Sequence, residues 1–182
     1  MSTLSKFHIR AAKLTDVETI LQLIYELATY EKEPESAKAT PQLLERNLFG
    51  DTPVAHALLA VSGTEATPGP PIGLALYFFN FSTWTGRPGL YLEDLYVKPE
   101  LRGQGIGKAL FGELSKVARE KDCARMDWSV LKVCMPSRNT PKWNQPSIDF
   151  YEKSLGAKPM SEWLGMRLDE QGIEGLSKFV TK

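Results

Sequence analysis

Leu101-Arg102-Gly103-Gln104-Gly105-Ile106-Gly107-Lys108 stands between two periodic runs. Before it, Leu90–Val97 reads as a strand. After it, Ile106, Leu110, Leu114, Val117 and Ala118 fall on one face of a helix. Glycines at alternate positions let the backbone turn tightly and present successive N–H groups. The helix start adds partial positive charge, so the segment suits a phosphate group. Arg102 can add a charge-assisted contact. Two nucleotide motifs are excluded. A nucleoside triphosphate loop needs glycine and Ser or Thr where Arg102 and Ala109 stand, and a dinucleotide fingerprint needs glycine where Lys108 stands. The plain alternative is a glycine-rich helix start that holds no ligand.

Working outward, Lys6–Ala12 alternates as a strand. Thr15 with Glu18 forms a capping box for a helix carrying Val17, Ile20, Leu21, Ile24, Leu27 and Ala28. Glu31–Ser36 is a charged loop, and Thr40-Pro41 opens a second helix to about Phe49. Val54–Val61, Ile72–Phe81 and Leu90–Val97 read as strands, joined by a loop at Ser62–Pro71 and a hairpin turn at Ser82–Gly89. Cys123–Val133 reads as a strand, Cys134–Gln145 as a polar loop, and Pro146 to about Leu155 as a helix. Glu162–Leu168 reads as a last strand and Glu174–Phe179 as a short helix. Consecutive hairpin strands followed by alternating elements predict an α/β (α+β) domain, with a mixed sheet and helices on its faces.

The 182 residues suit a single domain spanning 1–182. Lys plus Arg total 22 and Asp plus Glu total 22, so no net charge draws the chain to nucleic acid or anionic lipid. Cys123 and Cys134 make no disulfide framework, and neither they nor His8 and His56 match a metal-ligand spacing. No apolar run reaches the roughly 18 residues of a membrane span, and the first residues lack the apolar core of a secretory signal. The expected compartment is the cytoplasm, with the nucleus also open.

A second motif is Asn144-Gln145-Pro146-Ser147-Ile148-Asp149-Phe150-Tyr151, followed by Leu155-Gly156-Ala157. Ile148, Tyr151 and Leu155 share a helix face. Tyr151 reads either as a core tyrosine with its hydroxyl at the rim or as a proton donor.

Together the two motifs resemble the GNAT superfamily of acyl-CoA-dependent N-acetyltransferases, whose pyrophosphate loop follows Arg/Gln-x-x-Gly-x-Gly/Ala. The likeness extends to the spermidine/spermine (diamine) acetyltransferase branch. It is carried by Leu23-Ile24, Glu26-Leu27-Ala28, Tyr30-Glu31, Tyr91-Leu92-Glu93-Asp94 and the late helix, in the same order along most of the chain. The resemblance implies a mostly antiparallel sheet splayed at the acetyl-CoA site. The pantetheine arm would lie along Leu95, Tyr96 and Val97. The diphosphate would sit on Arg102, Gly103, Gln104, Gly105, Ile106, Gly107 and Lys108, and Asn144 and Ser147 would approach the cosubstrate. It further implies Tyr151 as proton donor to the CoA thiolate and Glu93 as base, acting on the amine through water. Tyr30, Glu31, Trp84, Glu93 and Asp94 would receive a cationic amine. It implies a homodimer, acetyl-CoA as cosubstrate, no metal, and no nucleic-acid or membrane partner.

The sequence also departs from that branch. Ser82 replaces an acidic residue two positions before Trp84, and Leu164-Gly165-Met166-Arg167 replaces Glu-Gly-Trp-Arg. An apparent insertion, Val133–Lys142, adds Arg138 and Lys142. Fewer anionic contacts point to a small primary amine or a lysine-like amino acid more than to a long polyamine. The competing reading is an acyl-CoA-binding module without catalysis, which would need neither Tyr151 nor Glu93.

Overall fold

The computed structural model describes residues 6–131 and 144–181. Its residues fall into two compact units, Met1–Ser129 and Val130–Lys182.

The first unit is a five-stranded sheet in the order β1 (Phe7–Ala11), β2 (His56–Gly63), β3 (Pro68–Ser82), β4 (Arg87–Val97) and β5 (Arg125–Trp128). The first three pairings are antiparallel and β4–β5 is parallel. The parallel pair needs a crossover, and α3 (Ile106–Glu120) supplies it. The expected mixed sheet with flanking helices is therefore the observed one.

Two turns are tighter than their composition suggests. β2 continues to Gly63 and β3 resumes at Pro68, with register shifts at Ala60/Val61 and Val61/Gly63 that accommodate the prolines. Likewise, β4 begins at Arg87, within the expected hairpin turn.

α1 (Val17–Tyr30) is not capped by Thr15. A 3-10 turn, Leu14–Asp16, precedes it. Asp16 accepts from the Lys13 backbone N–H at 2.7 Å and from both Nη atoms of Arg10 at 2.7 and 2.9 Å. Asp16, anchored by a bidentate guanidinium, takes the place of the neutral Thr15 hydroxyl at that helix start. The hydrogen-bonded Arg10 also holds the Asp16 carboxyl below its ordinary range. α2 (Pro41–Phe49) starts as expected, with Thr40 Oγ1 accepting from the Leu43 N–H at 3.2 Å.

The core follows from strand alternation. Ala57, Leu59, Val61, Leu74, Leu76 and Tyr96 form one cluster with Val17, Ile20 and Leu23 of α1 and Leu44 and Leu48 of α2. Alternate residues, including Leu58, Ala60 and Ala75, bury the opposite sheet face. α3, with Ile106, Leu110 and Leu114 fully buried, packs against β1 to β4.

One irregularity shapes β4. Leu76 pairs with Asp94, but Tyr77 pairs with Leu92, so Glu93 is the extra residue of a β-bulge. The bulge reverses the alternation. Leu90 and Leu92 share a face with Phe79 and Tyr77, whereas Asp94 and Tyr96 share one with Leu76 and Leu74.

In the second unit, α4 (Gln145–Asp149) runs on into a π-helical turn, Phe150–Ser154. α5 (Glu170–Glu174) continues into a 3-10 turn, Gly175–Phe179. The expected strand at Glu162–Leu168 is absent. A strand persists only with a ladder partner, and the second unit offers none among the described residues. Trp163, Leu164, Met166 and Leu168 are exposed there. Residues 132–133 of the expected fifth strand, Cys134 and the insertion with Arg138 and Lys142 lie outside the described residues. No helix among those described is long and apolar enough to cross a membrane.

Candidate active site

Beyond β4, a 3-10 turn, Pro99–Leu101, leads into the glycine loop. Gly103 and Gly105 have φ of +78° and +85°, and Gly105 is the left-handed residue from which α3 departs. A Cβ at either position would meet no atom within 4 Å. Glycine is thus required there by the sign of φ, not by crowding, and the loop faces open space. No side chain caps α3, and its first internal bond from beyond the opening turn is Ala109 N–H to Gly105 C=O, at 2.9 Å. The N–H groups of Ile106, Gly107 and Lys108 therefore have no intrahelical acceptor. A long helix starting this way offers both donors and dipole to an anion.

This account of the glycines has a direct test. Gly105→Ala forces an L residue into the left-handed region and should cost about 1 kcal/mol. Gly112→Ala, inside α3 and also with nothing within 4 Å of the added Cβ, should stabilise by about 0.5–1 kcal/mol. Urea midpoints that move in opposite directions would bear this out; a Gly105→Ala midpoint at or above wild type would refute it.

β4 supplies a second feature. Its ladder with β5 ends at the Leu92–Trp128 pair, while its pairing with β3 continues to Val97 and Gly73. Among the described residues, positions 93–97 have no partner strand on the β5 side. Leu95, Tyr96 and Val97 lie on this open stretch, so its backbone groups can pair with an extended, amide-bearing ligand.

Beside it is an acidic group. The bulge turns Glu93 out to an exposed position, whereas Asp94 lies toward α1 and is half-buried. Burial, then the charges of Glu93 and Glu31, push Asp94 up to about 6. Glu31, at the end of α1, is also pushed up by burial. Glu31, Glu93 and Asp94 are thus brought together, and a bound cation would relieve their mutual repulsion. Sequence reading pairs Glu93 with Asp94 without distinguishing their burial. No local pattern marks the difference, because Leu92 and Asp94, two apart in sequence, lie on opposite faces across the bulge.

Arg102 is not oriented as a simple loop cation. Its Nε donates to the Val97 carbonyl at 3.0 Å. Its guanidinium lies 4.2 Å from the Tyr30 ring centroid and 5.9 Å from that of Tyr96. Trp84 sits in the β3–β4 turn and is 88% exposed. In the second unit, Asn144 is buried and its Nδ2 donates to the Leu131 carbonyl at 3.0 Å. Ser147 follows in α4, and Tyr151 lies in the π-helical turn with its ring 5.5 Å from that of Phe150. Single π turns within helices recur at functional sites. Among the described residues, no group of three or more His, Cys, Asp or Glu could hold a metal.

Known proteins are similar to this chain in sequence and fold. The chain is 39% identical over 177 residues to a thialysine N-epsilon-acetyltransferase of Bos taurus, covering 93% of this chain and 96% of the relative. It is 35% identical over 169 residues to the spermidine/spermine N(1)-acetyltransferase-like protein 1 of Homo sapiens, covering 92% of this chain and 23% of that larger protein. An integron cassette protein from the mobile metagenome of V. cholerae superposes with a TM-score of 0.72 at 25% identity, covering 94% of this chain and 98% of its own. The sequence profile of the acetyltransferase (GNAT) family matches residues 17–157, which include the glycine loop, the open stretch of β4 and the helix carrying Tyr151. This chain belongs to the GNAT acetyltransferase family and is an acetyltransferase enzyme.

Proposed function

We propose that the enzyme moves an acetyl group from acetyl-CoA to a primary amine of a small molecule, by direct attack in a ternary complex. The acceptor is a lysine-like amino acid or a diamine; long polyamines fit less well. The observation that carries this reading is the adjacency, within one unit, of three features: the uncapped glycine loop, the open edge of β4, and the acidic group of Glu31, Glu93 and Asp94.

The loop amides of Gly103–Lys108 hold the diphosphate. The exposed edge at Leu95–Val97 aligns the pantetheine arm, and Asn144 and Ser147 contact the cosubstrate from α4. Tyr30, Glu31, Asp94 and Trp84 receive the ammonium group, which suits carboxylates and aromatic faces alike. An alkyl amine titrates near about 10 and must lose a proton before it can attack. Glu93 takes that proton through water. The amine nitrogen then bonds to the thioester carbon, the carbon–sulfur bond breaks, and Tyr151 protonates the departing sulfur. The surplus proton on the acylated nitrogen leaves to solvent, from which the Tyr151 oxygen regains one. Both units act together as one N-acetyltransferase domain, a reading supported by a family match that runs across both. The working unit is a homodimer. The exposed Trp163, Leu164 and Met166 support this, because large apolar groups on a monomer surface favour association. The compartment is the cytoplasm.

Ser82 and Leu164-Gly165-Met166-Arg167 support the small acceptor, since both remove anionic contacts that a polycation would use. Similarity to relatives named thialysine N-epsilon-acetyltransferase supports it too. An acceptor panel with acetyl-CoA, read by thiol release, tests it. Thialysine, lysine-like amines and short diamines should give kcat/KM at least tenfold above spermine, the equivalent of about 1.4 kcal/mol. A clear preference for spermidine or spermine would overturn the acceptor assignment.

A further inference from the structure

Arg102 combines two roles that a phosphate-binding residue does not need. Its Nε is committed to the carbonyl of Val97, the last residue of β4. Its guanidinium plane covers Tyr30, the last residue of α1, and reaches toward Tyr96. Those two elements are tied together again nearby. The Glu26 carboxylate of α1 lies beside the Tyr96 hydroxyl, and Lys98 pairs with Glu26 at 3.7 Å. Tyr30 is followed directly by Glu31, whose charge acts on Asp94.

We infer that Arg102 is a positioning residue: it clamps the end of β4 to the end of α1, so that the loop on which it stands fixes the acidic amine pocket, and it is not a ligand of the diphosphate. This rests on the functional reading above and deepens it, because it joins the donor side of the reaction to the acceptor side through one side chain. A planar fork that stacks on a ring and bonds a carbonyl is something lysine cannot reproduce.

Donor length provides the test. S-acetylpantetheine carries the thioester and the pantetheine arm but no diphosphate. If Arg102 positions the pocket, Arg102→Gln raises the amine KM by roughly three- to thirtyfold with either donor, and kcat falls less. Arg102→Lys then fails to rescue it. A defect seen only with acetyl-CoA, expressed in the KM of the donor and rescued by lysine, would mark Arg102 as a diphosphate ligand and overturn the inference. An activity-independent measurement accompanies it: a double-mutant cycle of Arg102→Gln with Tyr30→Leu on the thermal midpoint of the unliganded protein. Coupling of about 2 °C is expected, and additivity would overturn the clamp. Should the wild type release no thiol from acetyl-CoA with any amine, the functional reading fails, and the cycle still decides the clamp by itself.

Discussion

Replacing Tyr151 by phenylalanine should lower kcat by roughly 10²–10⁴-fold while leaving the Kd for CoA within about twofold of wild type. The substitution removes one oxygen from a half-buried ring that rests against Phe150 in the π-helical turn, so the ring packing survives and the proton donor is lost. A phenol hydroxyl is a proton donor and can deliver its proton to a developing thiolate. Without that delivery, the leaving group departs as a free thiolate. Calorimetry with CoA and steady-state thiol release separate the two effects. A variant that bound CoA normally and turned over at the wild-type rate would remove Tyr151 from the reaction. One that lost CoA affinity in proportion to its rate would make the hydroxyl a binding contact instead.

The glycine loop could be read from the sequence because its chemistry is local. Positive φ at Gly103 and Gly105, and the helix that follows, are encoded within eight residues. The sheet could be read for the same reason, since alternation and turn residues mark each strand. What the sequence hid depends on contacts distant along the chain. Asp16 displaced Thr15 at the start of α1 because Arg10, on β1, reaches it with two hydrogen bonds. The strand expected at 162–168 has a pattern suited to pairing, but pattern alone does not provide a partner. Arg102 has the charge for a phosphate, yet its surroundings, Tyr30 and Val97, decide what that charge does. The bulge at Glu93 depends on the register against β3, which no local pattern reports.

That bulge leads to the second large effect, at Asp94. In an unfolded chain an aspartate titrates near about 3.9, whereas here burial, with Glu93 and Glu31 nearby, pushes it up to about 6. Between those two values the folded state binds more protons than the unfolded one, so this group makes the protein less stable as pH rises through that window. The cost is absent below about pH 4 and complete above about pH 6. Asp94→Asn removes the charge, keeps the shape, and should stabilise the protein at pH 8 by about 2 kcal/mol, with little change at pH 4. The same substitution should raise the amine KM by at least about tenfold at pH 8, because the carboxylate is what an ammonium group would neutralise. Wild-type kcat/KM for the amine should correspondingly fall as pH drops through about 6, and the variant should lose that limb of the profile. A stabilised enzyme with a weakened site is the pattern of a strained functional residue. Urea midpoints at pH 4 and 8, set beside amine kinetics across the same range, would decide it. An equal shift at both pH values would assign Asp94 to packing. An unchanged amine KM would move the acceptor site away from the bulge.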